Sequence, residues 1–240
     1  MREKAIIVGL TVAMLSSTSY ALDPLGPPKA LLGQDHWSLG VEYAYSETDV
    51  DLSDGTFLGS PMADASSQLQ ANRAYANLRY GLRDNLDVFA RLGAATFEMS
   101  LLQEGDADLA WGLGAAGTLY NTVKLDWGLL VQYSSGESKG HGLPPVWTFA
   151  SQVEVWTLQV ATGPTYQVRE DLAVYGGLFY DMLTGEYEGN ALEWDLQEDD
   201  RFGGFVGLDW ELKEDTYWTV ELQYAGSTFA IATGLRWTFD

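Results

Sequence analysis

VKLDWGLLVQY, residues 123–133, sets Val123, Leu125, Trp127, Leu129, Val131 and Tyr133 against Lys124, Asp126, Gly128, Leu130 and Gln132. A helix would bring its apolar residues back every three or four positions, so strict alternation predicts a β-strand with one apolar face. The same period runs through WSLGVEYAY (37–45), LDVFARLGA (86–94), LAVYGGLFYDM (172–182), FGGFVGLDWEL (202–212), YWTVELQY (217–224) and the closing IATGLRWTFD (231–240). These runs approach the roughly 9–11 residues of a tilted membrane strand and exceed the roughly five or six usual in soluble sheets. Their length favours lipid over water as the medium of the apolar face.

Connection lengths alternate. Arg83-Asp84-Asn85, Asn121-Thr122, Arg169-Glu170-Asp171 and Lys213-Glu214-Asp215 read as tight turns, whereas 47–69, 99–108, 134–147 and 184–201 read as long loops. Short periplasmic turns and longer external loops are the rule in outer-membrane barrels. The expected fold is all-β, an up-and-down antiparallel transmembrane barrel of about ten strands, within a range of eight to twelve. Segment 148–168 breaks the parity, since Val153 and Val155 oppose Leu158 and Val160, and this predicts a bulge near Trp156.

MREKAIIVGLTVAMLSSTSYALD places Arg2 and Lys4 before a short apolar run and ends it on Ser19-Tyr20-Ala21. That pattern predicts a signal peptide over 1–21, cut after Ala21. Residues 22–35, rich in Pro and Gly and without period, read as a periplasmic lead-in, and 36–240 as the barrel. The whole chain carries a net charge of −21, and losing Arg2, Lys4 and Glu3 leaves 11 Lys or Arg against 33 Asp or Glu. Such a surface repels nucleic acid. Cysteine is absent, so no disulfide staples the exported chain.

The signal peptide, alternating strands, turn and loop asymmetry and closing GLRWTF together resemble the small porin-like, outer-membrane-protein-A-like β-barrels of Gram-negative-type bacteria, over the whole mature chain. The resemblance implies residence in the cell outer membrane, contact with its lipid, and insertion by the barrel-assembly machinery. It also implies an assembly signal in the last strand, matched by Gly234, Trp237 and Phe239. Ala232 stands where that signal usually has a polar residue, and Asp240 follows the usually terminal Phe.

With the apolar parity outward, Glu42, Arg73, Arg79, Asp87, Arg91, Lys124, Asp126, Glu154, Asp181, Asp209, Glu221 and Arg236 are expected to line the lumen. Charges of both signs there read first as an ion-pair network filling the barrel and second as a narrow polar passage. The long loops are acidic, with Glu47, Asp49, Asp51, Asp54 and Asp64 in the first and Glu186, Glu188, Glu193, Asp195, Glu198, Asp199 and Asp200 in the last. They attract divalent cations loosely. DVDLSDG (49–55) lacks the glycine and glutamate of a calcium loop, so no specific metal site is expected. His36 and His141 are the only imidazoles, and no nucleophile motif surrounds Ser134, Ser135 or Ser138, which argues against an enzyme. No cofactor is expected. The functional expectation is a small porin-like or structural barrel whose acidic outer mouth favours cations, with a surface-binding adhesin of closed lumen as the alternative.

Overall fold

The computed structural model describes residues 22–99, 104–141, 150–189, 192–198, 202–226 and 228–239. The expected signal peptide, residues 142–147 of the expected 134–147 loop, Asp199 and Asp200 lie outside the described residues. The chain forms one antiparallel sheet from β1 (Trp37–Phe57), β2 (Ser60–Pro61), β3 (Ala65–Arg83), β4 (Leu86–Met99), β5 (Glu104–Gly105), β6 (Asp108–Asn121), β7 (Leu125–His141), β8 (Ala150–Arg169), β9 (Leu172–Gly189), β10 (Leu192–Glu198), β11 (Phe202–Lys213), β12 (Thr216–Ala225) and β13 (Thr228–Phe239). Ten of them, β1, β3, β4, β6, β7, β8, β9, β11, β12 and β13, pair in sequence around a ring that closes where β13 meets β1. Closure leaves no unpaired edge, as any sheet immersed in lipid requires.

The turns after Arg83, Asn121, Arg169 and Lys213 lie at the same end as the start of β1 and the end of β13, which pair Trp37 with Phe239. Outward side chains around the lower wall are apolar: Val131, Val160, Tyr180 and Phe202 stand in one lateral row, with Tyr133, Leu158 and Met182 in the row above. Aromatic pairs mark both borders of this belt. Trp37–Tyr80 and Trp210–Trp218 lie near the turns, and Trp111–Tyr133 and Tyr180–Phe202 at the opposite border. Amphipathic rings favour the headgroup level, and membrane barrels carry such girdles at both interfaces.

Above the belt the strands continue far into what the sequence reading assigned to loops. β1 runs to Phe57, β7 to His141 and β9 to Gly189, and β10 adds a strand inside the expected 184–201 loop. β11, β12 and β13 stop at the belt, and β10 bridges the gap over them by pairing with both β9 and β1. Among the described residues the wall thereby narrows to eight members, β1, β3, β4, β5, β7, β8, β9 and β10. Eight strands enclose room for side chains and little else.

Polarity inverts at this level. Val50, Leu52, Leu69, Phe97, Met99, Val153, Val155, Leu183, Tyr187, Trp194 and Leu196 point inward and form one buried cluster. Their outward neighbours are Asp49, Asp51, Glu98, Glu137, Glu154, Glu186, Asp195 and Gln197. Two sequence-based assignments fall here. The β8 register runs unbroken from Ser151 to Thr162, so there is no bulge at Trp156, and Glu154 lies on the outer face and not in the lumen. The physical reason is a change of solvent: below Trp156 the outer face meets lipid, above it water, and the apolar parity changes sides without any extra residue.

Candidate functional site

The interior of the lower barrel is polar, and an irregular segment of the chain itself fills it. Pro24, Pro27 and Pro28 deny residues 22–34 any regular structure, so the amides and carbonyls of this segment remain free to bond elsewhere. The wall takes them up. The Leu25 and Gly26 N–H groups each donate to the Glu221 carboxylate at 2.9 Å. The Leu31 and Leu32 N–H groups donate to Asp87 Oδ2, and Ala30 N–H to Thr118 Oγ1. The Pro24 carbonyl accepts from Arg91 Nη2 at 2.8 Å and Gln132 Nε2 at 3.1 Å, and the Asp23 carbonyl from Gln223 Nε2 at 2.7 Å.

Side chains add a second set of ties. The Asp23 carboxylate accepts from Tyr75 and Ser134 and pairs with Arg73 Nε at 3.5 Å, while Lys29 Nζ pairs with Asp126 at 2.5 Å. Leu22 and Leu25 are fully buried among Phe89, Leu130, Tyr175, Phe179 and Phe205. The lead-in assigned to the periplasm is therefore a lumen plug. Burying the wall's carboxylates and guanidiniums without partners would be strongly unfavourable, and the segment's main chain supplies many of those partners.

The remaining wall charges pair with one another. Arg79 Nη1 lies 3.4 Å from Asp87, Arg91 Nε 2.8 Å from Glu42, and Arg236 Nη2 3.1 Å from Asp209. The guanidiniums of Arg79 and Arg91 both lie over the Phe89 ring, at 4.6 and 5.0 Å from its centroid, so one aromatic face serves two cations. Arg73, Arg79, Asp87, Arg91, Asp181 and Glu221 are buried; Glu42, Asp126, Asp209 and Arg236 are half-buried. Lys124 is exposed in the turn before β7, because the strand begins at Leu125, two residues later than its alternation suggested.

Gln132 is buried on the inward face, as its parity predicts, but sequence reasoning missed most of the uncharged half of this network, Asn77, Ser134, Gln159 and Gln223, all buried. For Asn77, Ser134 and Gln223 the signal was available, since each shares the inward parity of a charged neighbour on its own strand; Gln159 has the opposite parity to Glu154, the charge expected inward on β8. Sequence reasoning also missed Asp23 and Lys29, which no periodicity could place. Two cavities flank the plug: one faces Glu42, Arg79 and Glu221, and another of about 220 Å³ opens at the turn end between Lys29, Asp171, Asp209 and Tyr217.

Of the residues weighed for catalysis, the Ser134 hydroxyl donates to Asp23 and the Ser138 hydroxyl to the Asp106 carbonyl. His36 is exposed beside the turn end, with Nδ1 2.9 Å from the Gln34 carbonyl. DVDLSDG lies extended in β1, with Val50 and Leu52 turned inward. On the outer face Lys139 is bonded to Glu137 and Asp108, which raise its pKa, and the Leu109 N–H holds the Asp108 carboxyl below its usual range. Among the described residues no group of three or more His, Asp or Glu is arranged to hold a metal ion.

Of the solved structures similar to this chain, the outer membrane protease OmpT from Escherichia coli superposes with a TM-score of 0.55 at 10% identity, over 91% of this chain and 99% of that one. The chain has the fold of an outer-membrane β-barrel. The translocator domain of the autotransporter NalP from Neisseria meningitidis matches at a TM-score of 0.48 and 12% identity, over 88% and 90% of the two chains. The attachment invasion locus protein Ail of Yersinia pestis matches at 0.37 and 10%, over 86% and 99%. No protein-family model and no curated protein sequence matches the barrel. At these identities the likeness extends to the fold, and the function has to be argued from the barrel's own residues.

Proposed function

We propose that the protein is a closed outer-membrane barrel that works through its outer extension and does not conduct solutes. The observation that carries this reading is the double filling of the lumen. Residues 22–34 occupy the polar lower half, and the cluster around Phe97, Leu183 and Trp194 occupies the upper half. An ion entering from outside would have to cross the apolar layer, and leaving the plug out would not remove that layer.

The barrel then serves as an anchor that lifts an acidic eight-stranded collar above the headgroups. Its outer face suits a partner with basic side chains, by complementarity of charge. This favours the surface-binding alternative over the cation-favouring pore expected from the sequence. Gly234, Trp237 and Phe239 remain the proposed signal for the barrel-assembly machinery; on β13 the last two stand outward beside Leu39 and Trp37.

Planar-bilayer recording of the refolded full chain tests the reading. The expected trace stays at the background of the bare membrane. Stable unitary steps, of either ionic preference, would overturn it.

A further inference from the structure

The cavity of about 220 Å³ at the turn end lies between the plug and the inner wall from β8 to β13. Its space has a local cause. Ala173 stands in register with Gln167 of β8 and Asp209 of β11, so the wall carries a small side chain where both neighbours are long. Short turns face the periplasm in outer-membrane barrels, and the cavity opens on that side.

Charge is divided along the cavity. At its inner end Asp126 and Thr165 are direct partners across β7 and β8, and Lys29 of the plug pairs with Asp126 at 2.5 Å. An ammonium has three N–H donors, so Lys29 keeps donors for a further acceptor. Thr165 beside it is 2% exposed, and its hydroxyl has no hydrogen-bond partner among the described residues. Burying a hydroxyl without a partner is unfavourable, and this one lines an open space beside an ammonium. Toward the turns the lining is acidic. The Glu211 N–H donates to the Asp171 carbonyl at 2.9 Å, which brings two carboxylate side chains to one rim. Arg169, bonded to Asp171, is exposed, and the rim keeps a net negative charge.

We propose that this cavity binds a small zwitterion of the amino-acid or short-peptide class, with the ligand's carboxylate at Lys29 and Thr165 and its ammonium at Glu211 and Asp171. A plain carboxylate must pass the acidic rim, and a plain amine ends beside Lys29. A molecule with opposite charges at its two ends meets a complementary group at each. The site lies below the plug, away from the collar, and does not depend on what the outer face binds.

Equilibrium dialysis of radiolabelled glycylglycine against the full chain in detergent micelles is the test. The dipeptide is expected to bind with a dissociation constant at or below about 1 mM, within the affinity that so few atoms can supply. N-acetyl-glycylglycine lacks the ammonium and glycylglycine amide lacks the carboxylate; each should bind at least about tenfold more weakly, as when a hydrogen bond to a charged group is lost. Thr165→Val keeps the shape of the side chain and removes the hydroxyl, and should weaken the parent dipeptide by about tenfold. Ala173→Leu should abolish binding by filling the space, while Glu214→Gln, in the exposed turn before β12, should leave it unchanged. Absence of saturable glycylglycine binding overturns the proposal, and so does equal binding of the two capped forms or an unaltered affinity in Ala173→Leu. The capped dipeptides are tried on the unaltered protein, so a variant that fails to fold does not decide the outcome.

Discussion

The lower belt and the outer collar are made by the same strands and obey opposite rules. In the belt β8 turns Leu158 and Val160 outward and Thr157 and Gln159 inward; a few residues further along the same unbroken strand it turns Glu154 outward and Val153 and Val155 inward. Lipid around the belt takes up apolar side chains, so the interior is free to be polar and to hold a polar plug. Water around the collar reverses the preference, and the interior becomes an ordinary hydrophobic core. Strand number follows the same division. Ten strands leave space for a segment of chain, and eight leave space for side chains alone.

The largest expected effect separates the two regions by what fills a hole. Phe97 is fully buried in the collar core, and Phe97→Ala should cost about 3–5 kcal/mol, as for other large-to-small changes in packed interiors. Leu78→Ala on the lipid face leaves a gap that acyl chains can occupy, so it should cost much less. Denaturant unfolding of both variants in lipid vesicles makes the measurement. Equal losses would mean that the collar is not a closed core.

A reversed charge probes the same boundary from outside. Leu129→Arg places a cation at mid-belt depth and should lose about 2–4 kcal/mol. Glu186→Arg, two rows above the belt on the outer face of β9, should stay within about 0.5 kcal/mol of the parent because it remains in water. Folding yield and unfolding midpoint read both. A penalty at position 186 like that at 129 would move the lipid border above the row of Met182 and bring the collar into the membrane.

Much of this architecture was legible in the sequence, though not where it ended. Alternation and turn spacing predict the strands of the belt, because lipid enforces a clean outward apolar face. The collar strands carry the same period in Val50 and Leu52, in Val153 and Val155, and in Trp194 and Leu196. With lipid taken as the only solvent, their shifted parity read as loop at 47–69 and 184–201 and as a bulge at Trp156. A change of parity without a change of period is the signature of a strand leaving the membrane. The plug was not legible at all. Its ties to Glu221, Arg91 and Asp87 go mostly through the main chain, which every sequence possesses, and the only hint was a surplus of inward charge with no stated partner.

The smallest expected effect concerns the collar's outer face, where the register brings Glu137, Glu154, Glu186 and Asp195 of β7, β8, β9 and β10 directly side by side. Neighbouring strands stand about 4.8 Å apart, and like charges directly opposite one another in a sheet are destabilising. Among the described residues one of the four, Glu137, has a cation bonded to it, Lys139. Glu154 sits between two of the other carboxylates, so Glu154→Gln removes two repulsive contacts and keeps the shape of the side chain. The variant should gain about 0.2–1 kcal/mol at low salt. The gain should shrink as salt is raised, because the Debye length falls from about 30 Å at 0.01 M to about 3 Å at 1 M. An exposed face that stores repulsion when unoccupied is what a site for a basic partner would show, since a partner's cations would relieve it on docking. Unfolding midpoints of both proteins across that salt range decide the matter. A difference that does not respond to salt would mean that the four carboxylates do not act on one another, and the collar would lose its main claim to being the working surface.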